Sequence, residues 1–275
     1  MSFPFSDVSS RSITELVSLT GRSALVTGGA QGLGRAIAAR LAEAGADIAI
    51  ADLDEERASA CARELADTYS VNAVGVGMDV SDESSVVAGA EKAAAALGSL
   101  GIWVNNAGLF PNMPTAQMPV EMWEQVFAVN SRGVFLGSRE AAKRMTGTGG
   151  VIVNIVSTAG FQVAGPGMAA YVGSKHAVVG MTKAMALEFA PLGVRVLGVA
   201  PSYVPTEGNM AMAQAMMEQA AAAGIELPPF DVMNQSLIGR VGAPDDIARV
   251  VLFAASDLSM IMTGSVLLAD AGETI

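Results

Sequence analysis

From about Ser23 onward, short β-rich runs alternate with alanine-rich segments of helical character, and this rhythm constrains the fold more than any other feature of the chain. The runs at 23–27, 47–52, 72–80, 100–108, 150–157, 194–201 and 264–272 read as strands. GRAIAARLAEAGA at 34–46 and EERASACARELADTY at 55–69 read as the first two helices between them. Parallel strands need a crossover of a dozen or more residues, and a helix is the usual one, so the alternation implies a parallel sheet. Several runs are apolar at consecutive positions, as expected where both faces of a strand are covered. The expectation is a doubly wound α/β sheet of about seven strands with helices on both faces, one domain over residues 21–275.

Two stretches break the rhythm. Residues 1–20 precede the first strand and read as an arm that packs on the body or on a neighbouring subunit. The insertion at 202–242 is too long for a simple connection and reads as a substrate lid. It carries Met210, Met212, Met216, Met217 and Met233, whose flexible side chains suit an adaptable apolar pocket and suit packing surface equally well.

Composition narrows the ligands. A chain of 275 residues, 51% hydrophobic, can bury one sizeable core. Its formal net charge of −11 argues against nucleic acid and acidic membranes, both of which reward basic patches, and leaves small molecules. With Cys61 the sole cysteine and His176 the sole histidine, neither a disulfide within the chain nor the common zinc sites can be built, and no metal is expected. The N-terminus lacks a basic start and an apolar core, and no apolar run is long enough to span a bilayer, so the expected location is the cytoplasm.

VTGGAQGLGRAIA at 26–38 falls where the first strand hands over to the first helix. Gly28, Gly32 and Gly34 let the backbone turn sharply and approach a pyrophosphate, whose charge meets free N–H groups and the positive end of the helix dipole. That placement makes the sheet Rossmann-type and the ligand a dinucleotide. Asp52 closes the second strand, where a carboxylate accepts hydrogen bonds from both adenosine ribose hydroxyls and repels a 2′-phosphate. The expected cofactor is NAD, with Arg35 and Arg57 the residues that could argue for NADP.

AAYVGSKHAV at 169–178 raises the question of which side chain moves protons. Histidine has the pKa nearest neutrality, but on a helix Tyr171 and Lys175 are neighbours four residues apart, and His176 is turned away from Tyr171. A nearby ammonium favours tyrosinate, so lysine is expected to lower the tyrosine pKa and tyrosine to transfer the proton.

These motifs together resemble the short-chain dehydrogenase/reductase family from about residue 20 to the C-terminus. TGGAQGLG at 27–34 is similar to its glycine turn, NNAG at 105–108 to its strand-four motif, and Tyr171-x-x-x-Lys175 to its active-site pair. Asn130 and Ser157 match the other two members of its catalytic tetrad. The resemblance implies reversible hydride transfer between NAD and a secondary alcohol or ketone. Ser157 would hydrogen-bond the substrate oxygen, Lys175 would also bind the nicotinamide ribose, and Asn130 would hold a water linking Lys175 to solvent. It further implies cofactor contacts from Gln31 and Leu33 in the turn, Leu53 beside Asp52, Asp79 and Val80 after the third strand, and Asn106, Ala107 and Gly108. Pro201, Val204 and Thr206 would hold the nicotinamide end.

The chain departs from the family pattern in three places. Ser157 stands fourteen residues before Tyr171, one more than the common spacing; Ser202 and Ala271 stand where glycine is usual. Ser202 is therefore expected to take a backbone shape that glycine adopts more easily. Candidate pocket residues are Leu109, Phe110, Phe161, Gln162, Val163, Tyr203 and Met210, mostly apolar, which favours a hydrophobic, cyclic or aromatic alcohol over a polyol. Family members commonly form homotetramers through helices corresponding to 119–145 and 168–190 and through the last strand. The rival readings are a polyol dehydrogenase, an isomerase or dehydratase on the same fold, and a non-catalytic NAD sensor or scaffold.

Overall fold

The strands are β1 (Ser23–Thr27), β2 (Asp47–Asp52), β3 (Ala73–Gly77), β4 (Leu100–Asn105), β5 (Gly150–Ile155), β6 (Val194–Pro201) and β7 (Val266–Ala269). The computed structural model describes residues 5–163, 165–208, 210, 214 and 236–275. All the strands pair in parallel in one sheet of order β3-β2-β1-β4-β5-β6-β7. The direction of winding reverses between β1 and β4, and at such a switch point a crevice opens beyond the carboxyl ends of the strands.

Side-chain alternation along each strand divides the core in two. Ala24 and Val26 of β1 and Ile48 and Ile50 of β2 face α2 (Gly32–Glu43), α3 (Glu55–Tyr69) and α8 (Pro244–Ala255). Leu25 and Ala49 face the other way, toward α4 (Glu83–Leu97), α6 (Gly133–Met145) and α7 (Ala169–Phe189). Helices thus cover both faces, and β1 and β6 are buried along their whole length. Caps fix where the helices start: Asp54 accepts from Arg57 N ahead of α3, and Asp82 from Ser85 N ahead of α4. Cys61 is buried on α3, with Sγ 3.8 Å from Gly29 O.

The arm packs on the body of its own chain. It holds a short helix, α1 (Ile13–Val17), begun by a Ser12/Glu15 capping box. Arg11 pairs with Asp257, Leu19 is fully buried, and its N–H bonds Ala44 O at 2.8 Å. Met210 is described and exposed, whereas Met212, Met216, Met217 and Met233 lie outside the described residues. Among the described residues no helix is long and apolar enough to cross a membrane.

Strand ends differ from the expectation. β3, β4, β5 and β7 are shorter than the apolar runs that announced them, because residues beyond Gly77, Asn105 and Ile155 leave the ladder to build the crevice. Ser202 does not take a left-handed backbone; Ala271 does, at φ 55°, so the strain of a missing glycine sits in the C-terminal turn.

Candidate active site

The crevice is built on the turn after β1. Gly28 and Gly32 have positive φ, and a Cβ on Gly34 would stand 2.1 Å from Gly28 O, so the loop and the start of α2 can only close this tightly without side chains. Gln31 precedes α2 without a side-chain cap, which leaves the first N–H groups of the helix free to meet an anion. Asp52 braces the turn: its Oδ2 accepts from Ala30 N at 3.2 Å and its Oδ1 from Asp54 N at 3.3 Å. Thr27, to which sequence reasoning gave no role, laces β4 to the turn. Its Oγ1 accepts from Asn106 N at 3.0 Å and Ala107 N at 3.1 Å, while Asn106 Nδ2 donates to Thr27 O and Gly28 O.

Around this cradle the other expected contacts fall at different depths. Thr206 lies against the turn, its side chain 3.4 Å from where a Cβ on Gly32 would be, and Val204 behind it is buried. Pro201 ends β6 opposite Ala269. Asp79 Oδ1 accepts from Ser81 N at 2.8 Å and Ser81 Oγ at 2.7 Å, and Val80 packs against Gly133. Gln31 Oε1 accepts from Arg57 Nη1 at 2.7 Å, and Leu53 is exposed. Leu33 packs on the core rather than standing free. The free N–H groups, the glycine cradle and Asp52 fit a dinucleotide.

The tetrad residues come together where β4, β5 and α7 meet. Lys175 is buried and donates from Nζ to Ile155 O at 2.8 Å; Nζ also lies 5.8 Å from the centroid of the Tyr171 ring. A Cβ on Gly108 would lie 3.4 Å from Asn130 Oδ1 and 3.9 Å from Lys175 Nζ, so Gly108 leaves the space between them open. Ser157 Oγ accepts from Ala159 N at 3.1 Å, and its hydroxyl is near enough to the Tyr171 phenol to pull the phenol's pKa down, so the added residue in the loop does not part the two. His176 is exposed, with Nδ1 3.0 Å from Val172 O, away from the pair.

One expectation is revised, the direction of the Tyr171 pKa shift. Burial raises the Tyr171 pKa, and the Ser157 hydrogen bond only partly offsets this, so the net effect is not the lowering expected from a neighbouring lysine. Burial also pulls Lys175 down, to about 8, because a charged ammonium is poorly solvated there. Asn130 has both amide protons engaged, with Leu109 O at 2.7 Å and Ser174 Oγ at 3.0 Å, and its Oδ1 accepts from Leu109 N at 2.7 Å. Its side chain props the π-turn Ala128–Arg132 against the loop after β4. Ser174, unassigned in the sequence, is the buried link from Asn130 to Tyr171 O, to which it donates at 2.7 Å.

On the substrate side, Phe110 meets Tyr171 edge-on at 6.4 Å, and Phe161 and Val163 are exposed. Gln162 Nε2 instead donates to Glu273 Oε1 at 3.1 Å, tying the loop after Ser157 to the C-terminal turn. Tyr203 is half-buried.

A parallel sheet that opens at its switch point onto a glycine turn defines a dinucleotide-binding fold. Residues 22–217 match the short chain dehydrogenase family, and the chain belongs to it, as an oxidoreductase of a family that binds nicotinamide cofactors. It is 36% identical over 257 residues to a 3beta-hydroxysteroid dehydrogenase of Eggerthella lenta, covering 92% of this chain and 95% of that protein. It is 38% identical over 260 residues to a D-threitol dehydrogenase of Mycolicibacterium smegmatis, covering 94% of each. The crystal structure of a gluconate 5-dehydrogenase from Burkholderia cenocepacia, in complex with NADP and tartrate, matches with TM-score 0.85 and 32% identity, covering 96% of this chain and 99% of that one.

Beneath the tetrad runs a buried polar chain. Trp103 Nε1 donates to Asn105 Oδ1 at 2.8 Å; Asn105 Nδ2 donates to Ser138 Oγ at 3.0 Å and Asn154 Oδ1 at 2.9 Å; Asn154 Nδ2 donates to Thr182 Oγ1 at 3.0 Å. Thr182 follows Lys175 by two helical turns and pins α7 to β5 on the same face. Thr182→Val leaves the Asn154 amide without its acceptor, and denaturant unfolding is expected to register a loss of about 1–3 kcal/mol. A change too small to measure would show that the amide finds another partner.

Proposed function

We propose that this protein interconverts a secondary alcohol and its ketone by hydride transfer with NAD, with Tyr171 as acid and base. The observation that carries the reading is the grouping of Tyr171, the buried Lys175 ammonium 5.8 Å from its ring, and Ser157 at the carboxyl edge of the sheet beside the glycine cradle. A nicotinamide bound there supplies and accepts the hydride. Ser157 hydrogen-bonds the substrate oxygen and stabilises charge that builds on it. Tyr171, with its raised pKa, stays protonated at neutral pH and donates to that oxygen during ketone reduction. Lys175 holds its proton loosely enough to exchange it near neutrality, which suits a relay from Tyr171 to solvent.

Tyr171→Phe is expected to lower turnover by at least about a thousandfold and to change NAD affinity little, as measured by NADH absorbance and by fluorescence titration. Near-wild-type turnover would remove Tyr171 from the role. In the wild type, kcat/KM for alcohol oxidation, which needs the phenolate, should rise with pH through the alkaline range. Ketone reduction, which needs the phenol, should hold through neutrality and fall only at higher pH.

The preference for NAD rests on Asp52 and on the partners of the nearby cations. Arg35 pairs with Glu64, and Arg57 holds Gln31 and lies 3.3 Å from Asp54, so neither guanidinium is idle at the ribose. Initial rates at matched concentrations should favour NAD, and Asp52→Asn should shift the ratio toward NADP; a wild type faster with NADP would overturn the assignment.

For the substrate, the ring of Phe110 beside Tyr171 and the exposed Phe161 and Val163 favour a cyclic or aromatic alcohol. The E. lenta relative is named for a steroid alcohol and the M. smegmatis relative for a polyol. The Gln162–Glu273 pair favours the second reading, a hydroxylated substrate. A panel of cyclic alcohols against polyols, ranked by kcat/KM, separates the two. We further propose a homotetramer, because Trp123 and Phe135 and, on α7, Leu187 expose apolar surface on the helices, and Leu268 does so on the edge strand β7. Light scattering should return four times the 28.0 kDa chain mass, and a monomer would overturn that assembly.

A further inference from the structure

The chain has a group of cations that hydride transfer does not use, at the opposite end of the sheet from the crevice. Arg22 immediately precedes β1, Arg195 is the second residue of β6, and Thr148 and Gly149 lead into β5. Together with Ser6 and Asp257 they line a cavity of about 110 Å³, and an adjoining recess of about 250 Å³ shares Arg22, Thr148 and Gly149.

The inward halves of both guanidiniums are fixed by backbone. Arg195 is buried, and its Nη1 donates to Ala254 O at 3.2 Å, Ser259 O at 3.1 Å and Ser259 Oγ at 2.9 Å, while Nη2 donates to Ser256 O at 3.2 Å. Arg22 Nη1 donates to Ala255 O at 3.0 Å. These carbonyls lie at the end of α8 and just beyond it, where a helix presents its negative pole.

The outward halves are not so engaged. Among the described residues, Nε and Nη2 of Arg22 and Nε of Arg195 donate to no protein acceptor. They are not sealed from solvent either, since among the described residues the sole fully buried side-chain polar atom left without a partner is Arg139 Nε. Asp257 is the one carboxylate lining the cavity; it stands 3.7 Å from Arg22 Nη1 and is already paired with Arg11. Three guanidiniums therefore surround one carboxylate, in a chain whose net charge is −11. Burial, and after it the neighbouring Arg22, pulls the Arg195 pKa down to about 10, with Asp257 partly opposing them.

We propose that this cavity binds a small oxyanion, a phosphate or carboxylate group, which takes the outward N–H groups of Arg22 in a fork, with the Ser6 and Thr148 hydroxyls lining the same cavity. The smaller cavity suits the anionic group, and the adjoining recess leaves room for the body of a molecule that carries one. Because Ser6 belongs to the arm and Arg11 shares Asp257, an anion here also ties the arm to the sheet.

The test is a titration of inorganic phosphate, with acetate and chloride as separate arms, at constant ionic strength and pH 7. The ³¹P line width reports phosphate binding, and thermal unfolding reports all three arms. Wild type should bind phosphate saturably and be stabilised by it beyond chloride, and Arg22→Gln should weaken that binding about tenfold with unchanged turnover. Phosphate held at the glycine turn is untouched by this substitution, so the difference between the two proteins reports the cavity alone. Acetate stabilising more than phosphate identifies the carboxylate as the better-matched group, equal stabilisation by the two beyond chloride shows that the cavity takes either oxyanion, and phosphate alone identifies the phosphate. If Arg22→Gln does not fold, the exposed Arg11→Gln serves instead. It strips Asp257 of its neutralising partner and should weaken phosphate binding about threefold. Equal binding by wild type and the folded variant, or equal stabilisation by phosphate, acetate and chloride, would overturn the proposal.

Discussion

The ammonium of Lys175 is the constraint around which the site is organised. It sits inside the protein with one backbone carbonyl, Ile155 O, as its hydrogen-bond acceptor and an aromatic ring to one side. Burial pulls its pKa from 10.5 to about 8, so holding the charge costs the folded state about 3 kcal/mol at neutral pH. Such a cost falls away as pH rises from 8 toward 10.5, where the amine is neutral whether folded or not. At neutral pH the rest of the fold has to supply the difference. It does so by fixing α7 against β5 through the Asn154–Thr182 bond and against the π-turn through Ser174 and Asn130. Lysine and tyrosine are thereby held where neither would settle on its own.

The same logic explains the placement of the buried asparagines. Asn105 and Asn154 are register partners on β4 and β5, and their side chains bond each other under the crevice. An unsatisfied amide at that depth would destabilise the core, so the chain from Trp103 to Thr182 has to close completely. Once closed, it fixes the heights of β4, β5, α6 and α7 relative to one another. The glycine turn is joined to this frame through Thr27 and Asn106. The glycine turn and the helix that carries Tyr171 and Lys175 are parts of one hydrogen-bonded scaffold.

Much of this was legible in the sequence because it depends on local pattern. Apolar runs separated by helical segments announce the sheet, and α3 begins and ends where EERASACARELADTY does. The i, i+4 spacing of Tyr171 and Lys175 correctly put them together and turned His176 away. What escaped depends on depth and on partners distant in the chain. The rise in the Tyr171 pKa reflects burial, which a spacing argument does not contain. Thr27 and Ser174 are ordinary residue types whose importance appears only when Asn106 and Asn130 arrive beside them. Strand ends were read too long because the chain past Gly77, Asn105 and Ile155 stays extended in sequence character while its residues leave the ladder.

The polarity of a doubly wound sheet divides the chemistry between its two ends. At the carboxyl ends of the strands the helices begin, and the uncapped start of α2 offers N–H groups to an anion. At the amino ends the helices finish, and the carbonyls at the close of α8 call for cations, which Arg22 and Arg195 provide. A guanidinium has five donors in a planar fork, more than a helix terminus can use from one side. Capping α8 with two arginines therefore satisfies the carbonyls and leaves N–H groups pointing outward. The cations that stabilise the fold at this end thus carry, as a by-product of their geometry, the N–H donors that the proposed oxyanion would take.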